Sequence, residues 1–207
     1  MVSFGARHVH PLVSARMEYA AVGGGCVGCA TPAGAALAGV APTGTLPHAL
    51  VLSMGDTLHA AEAFDRHLPG DVQRIVLVDT YADEAEESVR VADAIGSRLH
   101  GVRLDTPSEL GGVTVELVER VRRRLDGAGH QHVKIFVSGG FGPERIERMR
   151  AAGAPVDGFG VGSAISAAPP IEFTADIKEV DAAPGAKRGR VPGRTARPRW
   201  REINLHP

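Results

Sequence analysis

Aromatic side chains make up only 4% of this 207-residue chain. A buried core must therefore be built from Val, Ile, Leu and Ala. Cysteine is nearly absent: Cys26 and Cys29 are the two in the sequence. That argues against a secreted disulfide framework and fits a reducing, cytoplasmic setting. Charge of one sign is also lacking. The formal net charge is -1, so the chain as a whole gives no case for nucleic-acid or membrane binding. No apolar run reaches the length of a membrane span, and Met1 to Pro11 has no signal-peptide core. With 43% hydrophobic and 23% charged residues, the composition is that of a globular domain. Glycine is plentiful, at 26 residues, which predicts tight turns or backbone-lined binding loops.

Short apolar runs alternate with helical patterns. The runs are Ile75 to Val78, Val102 to Leu104, Val133 to Val137 and Gly158 to Val161, with Gly44-Thr45 marking the end of an earlier strand. Their spacing is that of βα units in a parallel sheet. Leu50, Met54, Leu58, Ala61, Phe64 and Leu68 recur at helical spacing until Pro69-Gly70. Ala85, Val89, Ala92 and Leu99 form a second stripe, with Asp83, Glu84, Glu86 and Glu87 near its positive amino end. Leu117, Val118, Val121 and Leu125 form a third, expected from about Thr114. Thr106-Pro107-Ser108-Glu109 reads as a capping box before a short turn. Pro143 to Ala152 reads as a short helix closed by Gly153. Glu172 to Val180 predicts an antiparallel strand that turns at Asp181 to Gly185. Residues 1–170 are thus expected to form a partial α/β barrel, 171–190 a small β appendage and 191–207 a basic flexible tail. The readable βα units fall short of a full (β/α) barrel, which predicts an unpaired parallel edge near the first strand.

In parallel α/β folds, ligands bind where strands end and helices begin. His48, Asp79, Arg103 and Asp105 stand at such ends, as do Ser138-Gly139-Gly140 and Gly160-Val161-Gly162-Ser163. Singly, each has an ordinary structural explanation: a helix cap, a solvated histidine, a tight turn. Together they converge on one rim. Glycine-rich turns leading into helices expose N–H groups to phosphate, and carboxylates beside them suit magnesium or ribose hydroxyls. The chemistry read from the residues is phosphate-ester handling. Cys26-x-x-Cys29 could be a redox or half-zinc pair. No second ligand pair lies near it, so small residues packing under a loop is the preferred reading.

Seven segments occur in one order: Phe4 to Pro11, Gly44 to Leu50, Val78 to Tyr81, Gly101 to Thr106, Val137 to Gly140, Gly158 to Ser163 and Ala186 to Gly189. In that order they resemble the nicotinate phosphoribosyltransferases of the type II phosphoribosyltransferase group. The resemblance implies an α/β partial barrel of type II phosphoribosyltransferase type, with a small β appendage. It also implies the conversion of nicotinate and phosphoribosyl pyrophosphate to nicotinate mononucleotide, with ATP as co-substrate and Mg2+ as cofactor. By the same resemblance, His48 is a transiently phosphorylated histidine and Asp79 orients its ring. Phe4 and Arg7 hold the pyridine and substrate anions. Arg103 and Asp105 hold the ribosyl and diphosphate groups. Ser138, Gly139, Gly140, Gly160, Gly162 and Ser163 line phosphate sites. No protein-held metal site is implied. His8 and Val27 differ from the family pattern. The family's amino-terminal domain has no counterpart here, so the expected partner is a homo-oligomer or a separate amino-terminal domain. The alternatives are an inactive fragment or interaction subunit of such an enzyme, with a residual phosphate site, or quinolinate phosphoribosyltransferase, a neighbour in the same fold group that is decarboxylating and not ATP-coupled. The histidine motif in Gly44 to Leu50 is expected to argue against the last of these.

Overall fold

Aliphatic runs form the strands of a parallel sheet in the computed structural model, which describes residues 1–193. The strands are β1 (Val2–Ser3), β2 (Gly28–Cys29), β3 (Arg74–Leu77), β4 (Leu99–Leu104), β5 (Lys134–Val137) and β6 (Gly158–Val161). Helices connect and cover them: α1 (Pro11–Gly23), α2 (Pro32–Ala38), α3 (His48–Met54), α4 (Thr57–His67), α5 (Glu84–Ile95), α6 (Val115–Gly127), α7 (Pro143–Ala151) and α8 (Ser163–Ser166). The sheet order is β2-β1-β6-β5-β4-β3, all parallel. This is the expected partial α/β barrel. Val76, Val78, Leu104, Ile135 and Val137 supply its buried sheet residues, and Val91, Val118, Val121 and Leu125 pack onto them from the helices. Glycine is required where the sheet bends round Phe136: a Cβ on Gly101 or Gly158 would fall 2.7 or 2.6 Å from that ring.

The expected free edge at the first strand is absent. β1 lies inside the sheet, with Val2 paired to Gly28 on one side and Gly160 on the other. The edges are β2 and β3, and an extended segment over residues 42–46 crosses between them. Pro42 bridges Cys29, the Thr43 N–H donates to the Cys29 carbonyl at 2.9 Å, and the Leu46 N–H donates to the Ile75 carbonyl at 3.1 Å. The strand expected at Gly44-Thr45 is this crossing. Pro42 and Pro47 flank it without N–H donors, which keeps it from forming a regular ladder.

Other departures have local causes. The single helix expected over 50–68 is two, because Gly55 is left-handed (φ +73) and Asp56 caps α4 by accepting from the His59 N–H. Leu99 opens β4 instead of closing α5, since Gly96 turns the chain at φ +64. The capping box at Thr106 does not form; its hydroxyl donates to Glu84 at 2.8 Å instead. Thr114 caps α6, accepting from the Leu117 N–H.

From Pro169 the chain forms a second compact unit. It contains an antiparallel pair, β7 (Glu179–Val180) and β8 (Ala183–Pro184), far shorter than the strand expected from Glu172. Asp181 and Ala182 turn between them at φ +48 and +63. The Lys178 carbonyl accepts from the N–H groups of Gly185 and Gly193. Residues 194–207 of the expected tail lie outside the described residues. Among the described residues no helix is long and apolar enough to cross a membrane.

Candidate functional site

The carboxyl ends of the parallel strands bring the sequence-predicted residues to one rim. Phe4 and Arg7 follow β1, Asp79 follows β3, and Arg103 and Asp105 stand at the end of β4. Ser138-Gly139-Gly140 follows β5, while Gly160, Gly162 and Ser163 close β6. His48 opens α3 directly after the 42–46 crossing. All of them but Asp79 surround a cavity of about 560 Å³ whose wall includes Phe4, Arg7, His48, Arg103, Asp105 and the two glycine turns. Asp79 is not in that wall. It is buried behind His48.

The His48 ring stands between two carboxylates. Nε2 is 3.2 Å from Asp79 Oδ1, and Nδ1 is 4.0 Å from Asp105 Oδ2. The first is a hydrogen bond and the second is too long to be one. Burial pushes the Asp79 carboxyl above its ordinary range; His48 opposes that shift and Asp105 adds to it. Asp105 is itself held: its Oδ1 accepts from the Ser138 hydroxyl at 2.7 Å, and the Ser138 N–H donates to the Leu104 carbonyl at 2.9 Å. Arg103 is pushed down by burial, with Asp105 and Asp79 pulling the other way. Its guanidinium lies over the Phe4 ring, 5.7 Å from the centroid. Its buried Nε has no hydrogen-bond partner among the described residues.

The glycines of the rim separate into two kinds. Gly139 and Gly140 are consecutive left-handed residues (φ +88 and +68), a conformation that side-chain-bearing residues rarely adopt. Gly160 and Gly162 are instead needed for closeness. A Cβ on Gly160 would lie 2.4 Å from the Phe4 ring, and one on Gly162 would lie 2.9 Å from His8 Nε2. Thr43, Thr45, Ala30 and His8 also line the cavity without having been singled out as ligand-holding residues. Thr45 and His8 lay within segments already noted, whereas nothing in the sequence marks Ala30.

Cys26 and Cys29 are buried free thiols on either side of an exposed Val27. Burial pushes both thiols up. Behind them the buried Glu18 carboxylate accepts from the N–H groups of Ala30 and Thr31 and from the Thr31 hydroxyl. Among the described residues no group of three or more His, Cys, Asp or Glu side chains is arranged to hold a metal ion.

Residues 1–176 match the family model of the quinolinate phosphoribosyl transferase C-terminal domain. The chain belongs to that family. A solved structure, nicotinate-nucleotide pyrophosphorylase from Pyrococcus furiosus, superposes on it with a TM-score of 0.84 at 45% identity, covering 93% of this chain and 49% of that one. A nicotinate phosphoribosyltransferase of Mycobacterium tuberculosis is 36% identical over 171 residues, 79% of this chain and 35% of the relative. One of Bacillus subtilis is 29% identical over 168 residues, 78% of this chain and 33% of the relative. The chain therefore spans about a third of the curated relatives it matches. Human nicotinic acid phosphoribosyltransferase, at 18% identity and a TM-score of 0.55, shares the fold.

Membership in the quinolinate phosphoribosyl transferase family corrects the identity drawn from the seven segments. Six of those segments fall at or beside the rim where the strands end, and the seventh, Ala186 to Gly189, lies in the second unit. A rim of that kind serves a whole fold group and does not report which pyridine is the acceptor. The histidine motif in Gly44 to Leu50 does not exclude the family, contrary to the expectation set on it.

Proposed function

We propose that this chain is the phosphoribosyl-diphosphate-binding part of a pyridine-carboxylate phosphoribosyltransferase of the quinolinate phosphoribosyltransferase type, serving NAD biosynthesis. The observation that carries this reading is Arg103. A half-buried guanidinium with a buried, unsatisfied Nε, lying over Phe4 in the wall of a cavity, is arranged to receive an anion. Phe4 offers a flat apolar face to a pyridine ring. Ser138-Gly139-Gly140 and Gly162-Ser163 would cradle phosphate through backbone N–H groups. Asp105, fixed by Ser138, would hold the ribose hydroxyls.

In the reaction the bond from ribose C1 to diphosphate breaks and the diphosphate leaves with the electron pair. The pyridine nitrogen forms the new bond to C1. With quinolinate, the adjacent carboxylate departs as carbon dioxide and the ring carbon takes up a proton. Arg103 and Arg7 stabilise the leaving negative charge. Magnesium fits here as an ion borne by the diphosphate. The described residues offer no protein cage, but Asp105 supplies one cavity-facing carboxylate, the usual protein share of such a site. When bound, the ion neutralises diphosphate charge. A second subunit or a separate amino-terminal domain would complete the acceptor side.

Calorimetry tests the reading on the chain itself: phosphoribosyl diphosphate should bind, and Arg103→Ala should weaken it by about tenfold or more. Absence of binding to the wild-type chain would overturn the proposal. Supplying the amino-terminal half should then yield a mononucleotide from quinolinate with release of carbon dioxide.

The His48–Asp79 contact favours a second reading, in which His48 accepts a phosphoryl group from ATP. With Nε2–H bonded to Asp79, the free Nδ1 pair would attack the γ-phosphorus and ADP would leave. Labelled ATP should then give an acid-labile, alkali-stable phosphoprotein that His48→Ala abolishes. An unlabelled wild type rules this route out.

A further inference from the structure

Arg145 belongs to none of the groups assigned above. It lies half-buried in the first turn of α7, directly behind the Gly139-Gly140 turn. Its Nη1 donates to the Gly139 carbonyl at 2.5 Å, and its Nη2 donates to the Val113 carbonyl at 2.7 Å. The guanidinium stacks on Phe141, 4.2 Å from the ring centroid, and Phe141 is itself buried. Among the described residues Arg145 has no ion pair; its fork serves backbone carbonyls on two separate loops. Both loops carry left-handed glycine pairs: Gly139-Gly140 on one, and Gly111-Gly112 (φ +92 and +70) on the other. Such pairs are the most freely rotating backbone on the rim, and an unrestrained peptide between two glycines flips readily. A trans peptide holds its C=O and the following N–H in opposite directions. Arg145 lines a neighbouring groove of about 820 Å³ but not the cavity. With the Gly139 carbonyl fixed toward Arg145, the Gly140 N–H is turned away from it, and Gly140 borders the cavity as well as the groove.

We propose that Arg145 is a positioning residue for the phosphate-binding turn, holding the Gly139-Gly140 peptide in the orientation that presents the Gly140 N–H to a ligand phosphate. The inference rests on the phosphate reading of this turn given under the proposed function. Lysine cannot replace this arginine fully, because an ammonium lacks the planar fork that reaches both carbonyls while stacking on a ring.

Titration of the 15N-labelled chain with ribose 5-phosphate tests it, read at the Gly140 amide resonance and as a dissociation constant. In the wild type the Gly140 resonance should move with saturation. Arg145→Met should weaken binding by about tenfold and abolish the Gly140 shift, while Arg145→Lys should give an intermediate loss. Both variants should melt as a single cooperative transition. If Arg145→Met does not fold, Arg145→Lys decides: wild-type affinity and shift in it overturn the inference. A wild type whose Gly140 resonance ignores ribose 5-phosphate overturns both this inference and the phosphate reading of the turn. A responsive wild type with an equally responsive Arg145→Met overturns the positioning role alone.

Discussion

The two sides of the barrel are held together by different means. On β3, β4 and β5 the ladders are long, and Ile75, Val76, Leu77, Val102, Leu104, Ile135 and Val137 are all buried. On β1 and β2 each strand is two residues long, and the helix beside them exposes Leu12 and Tyr19. The one fully buried side chain of α1 is Glu18, whose carboxylate ties the turn between β2 and α2. One side is stabilised by apolar packing and the other by a charged staple. The cavity sits at the seam: Phe4 and Arg7 come from the thin side, while Arg103, Asp105 and Ser138 come from the thick side. A site built this way couples ligand contacts to a region that carries little apolar burial of its own.

The comparison breaks most visibly under core truncation. Leu104→Ala or Ile135→Ala should cost about 3 to 4 kcal/mol in urea unfolding, whereas Val2→Ala should cost about 1 kcal/mol or less. Equal costs would show that the two sides do not differ. Next in size is Glu18→Gln, expected to cost about 2 kcal/mol because a buried charge-assisted acceptor is lost from three donors. Hydrogen exchange at the Ala30 and Thr31 amides should accelerate, with the β4 and β5 amides unaffected. The seam itself is tested by Gly160→Ala, which should cost about 1 to 2 kcal/mol as the new methyl meets the Phe4 ring. Phe4→Leu in the same chain should recover part of that stability, and a simple sum of the two losses would deny the contact.

The smallest effect is one of pH. Folding raises the Asp79 carboxyl, chiefly by burial. A raised carboxyl favours the folded state at low pH, and that contribution is lost as the pH rises through its folded value. Asp79→Asn should therefore melt a few degrees higher than wild type at pH 7, with the advantage vanishing below about pH 4, where the unfolded carboxyl is also protonated. A variant that melts lower at pH 7 would reverse the sign assigned to this group.

The thick side was legible in the sequence for the same reason that it is stable. Runs such as Ile75 to Val78 and Val133 to Val137 are long enough to announce a buried strand, and the stripe at Val118, Val121 and Leu125 announces its covering helix. The thin side left almost no trace. Val2-Ser3 and Gly28-Cys29 are too short to show any periodicity, and α1 spreads its apolar residues around the helix without a stripe. Rim residues were readable wherever a strand end announced them, as at Asp105 and Ser138. Arg145 was not, because its partners are carbonyls, which carry no side-chain signature. The identity failed for a related reason: strand-end turns of this kind are shared across a fold group, and they dominate what the sequence displays.

The pairing of Val2 with Gly160 has a consequence for synthesis in the cell. β1 is made well before β6, so one of its two neighbours exists only once residues 158–161 have emerged. Sheet contacts of that separation close slowly, and parallel pairing offers no hairpin to speed them. On the ribosome, β3 to β5 can assemble while Val2 and Ser3 still lack their β6 partner, the neighbouring helix exposing Leu12 and Tyr19. The β6 side of β1 is thus completed only after β3 to β5 have been made. The nascent chain is most exposed to mispairing in the interval before Gly160 and Val161 emerge.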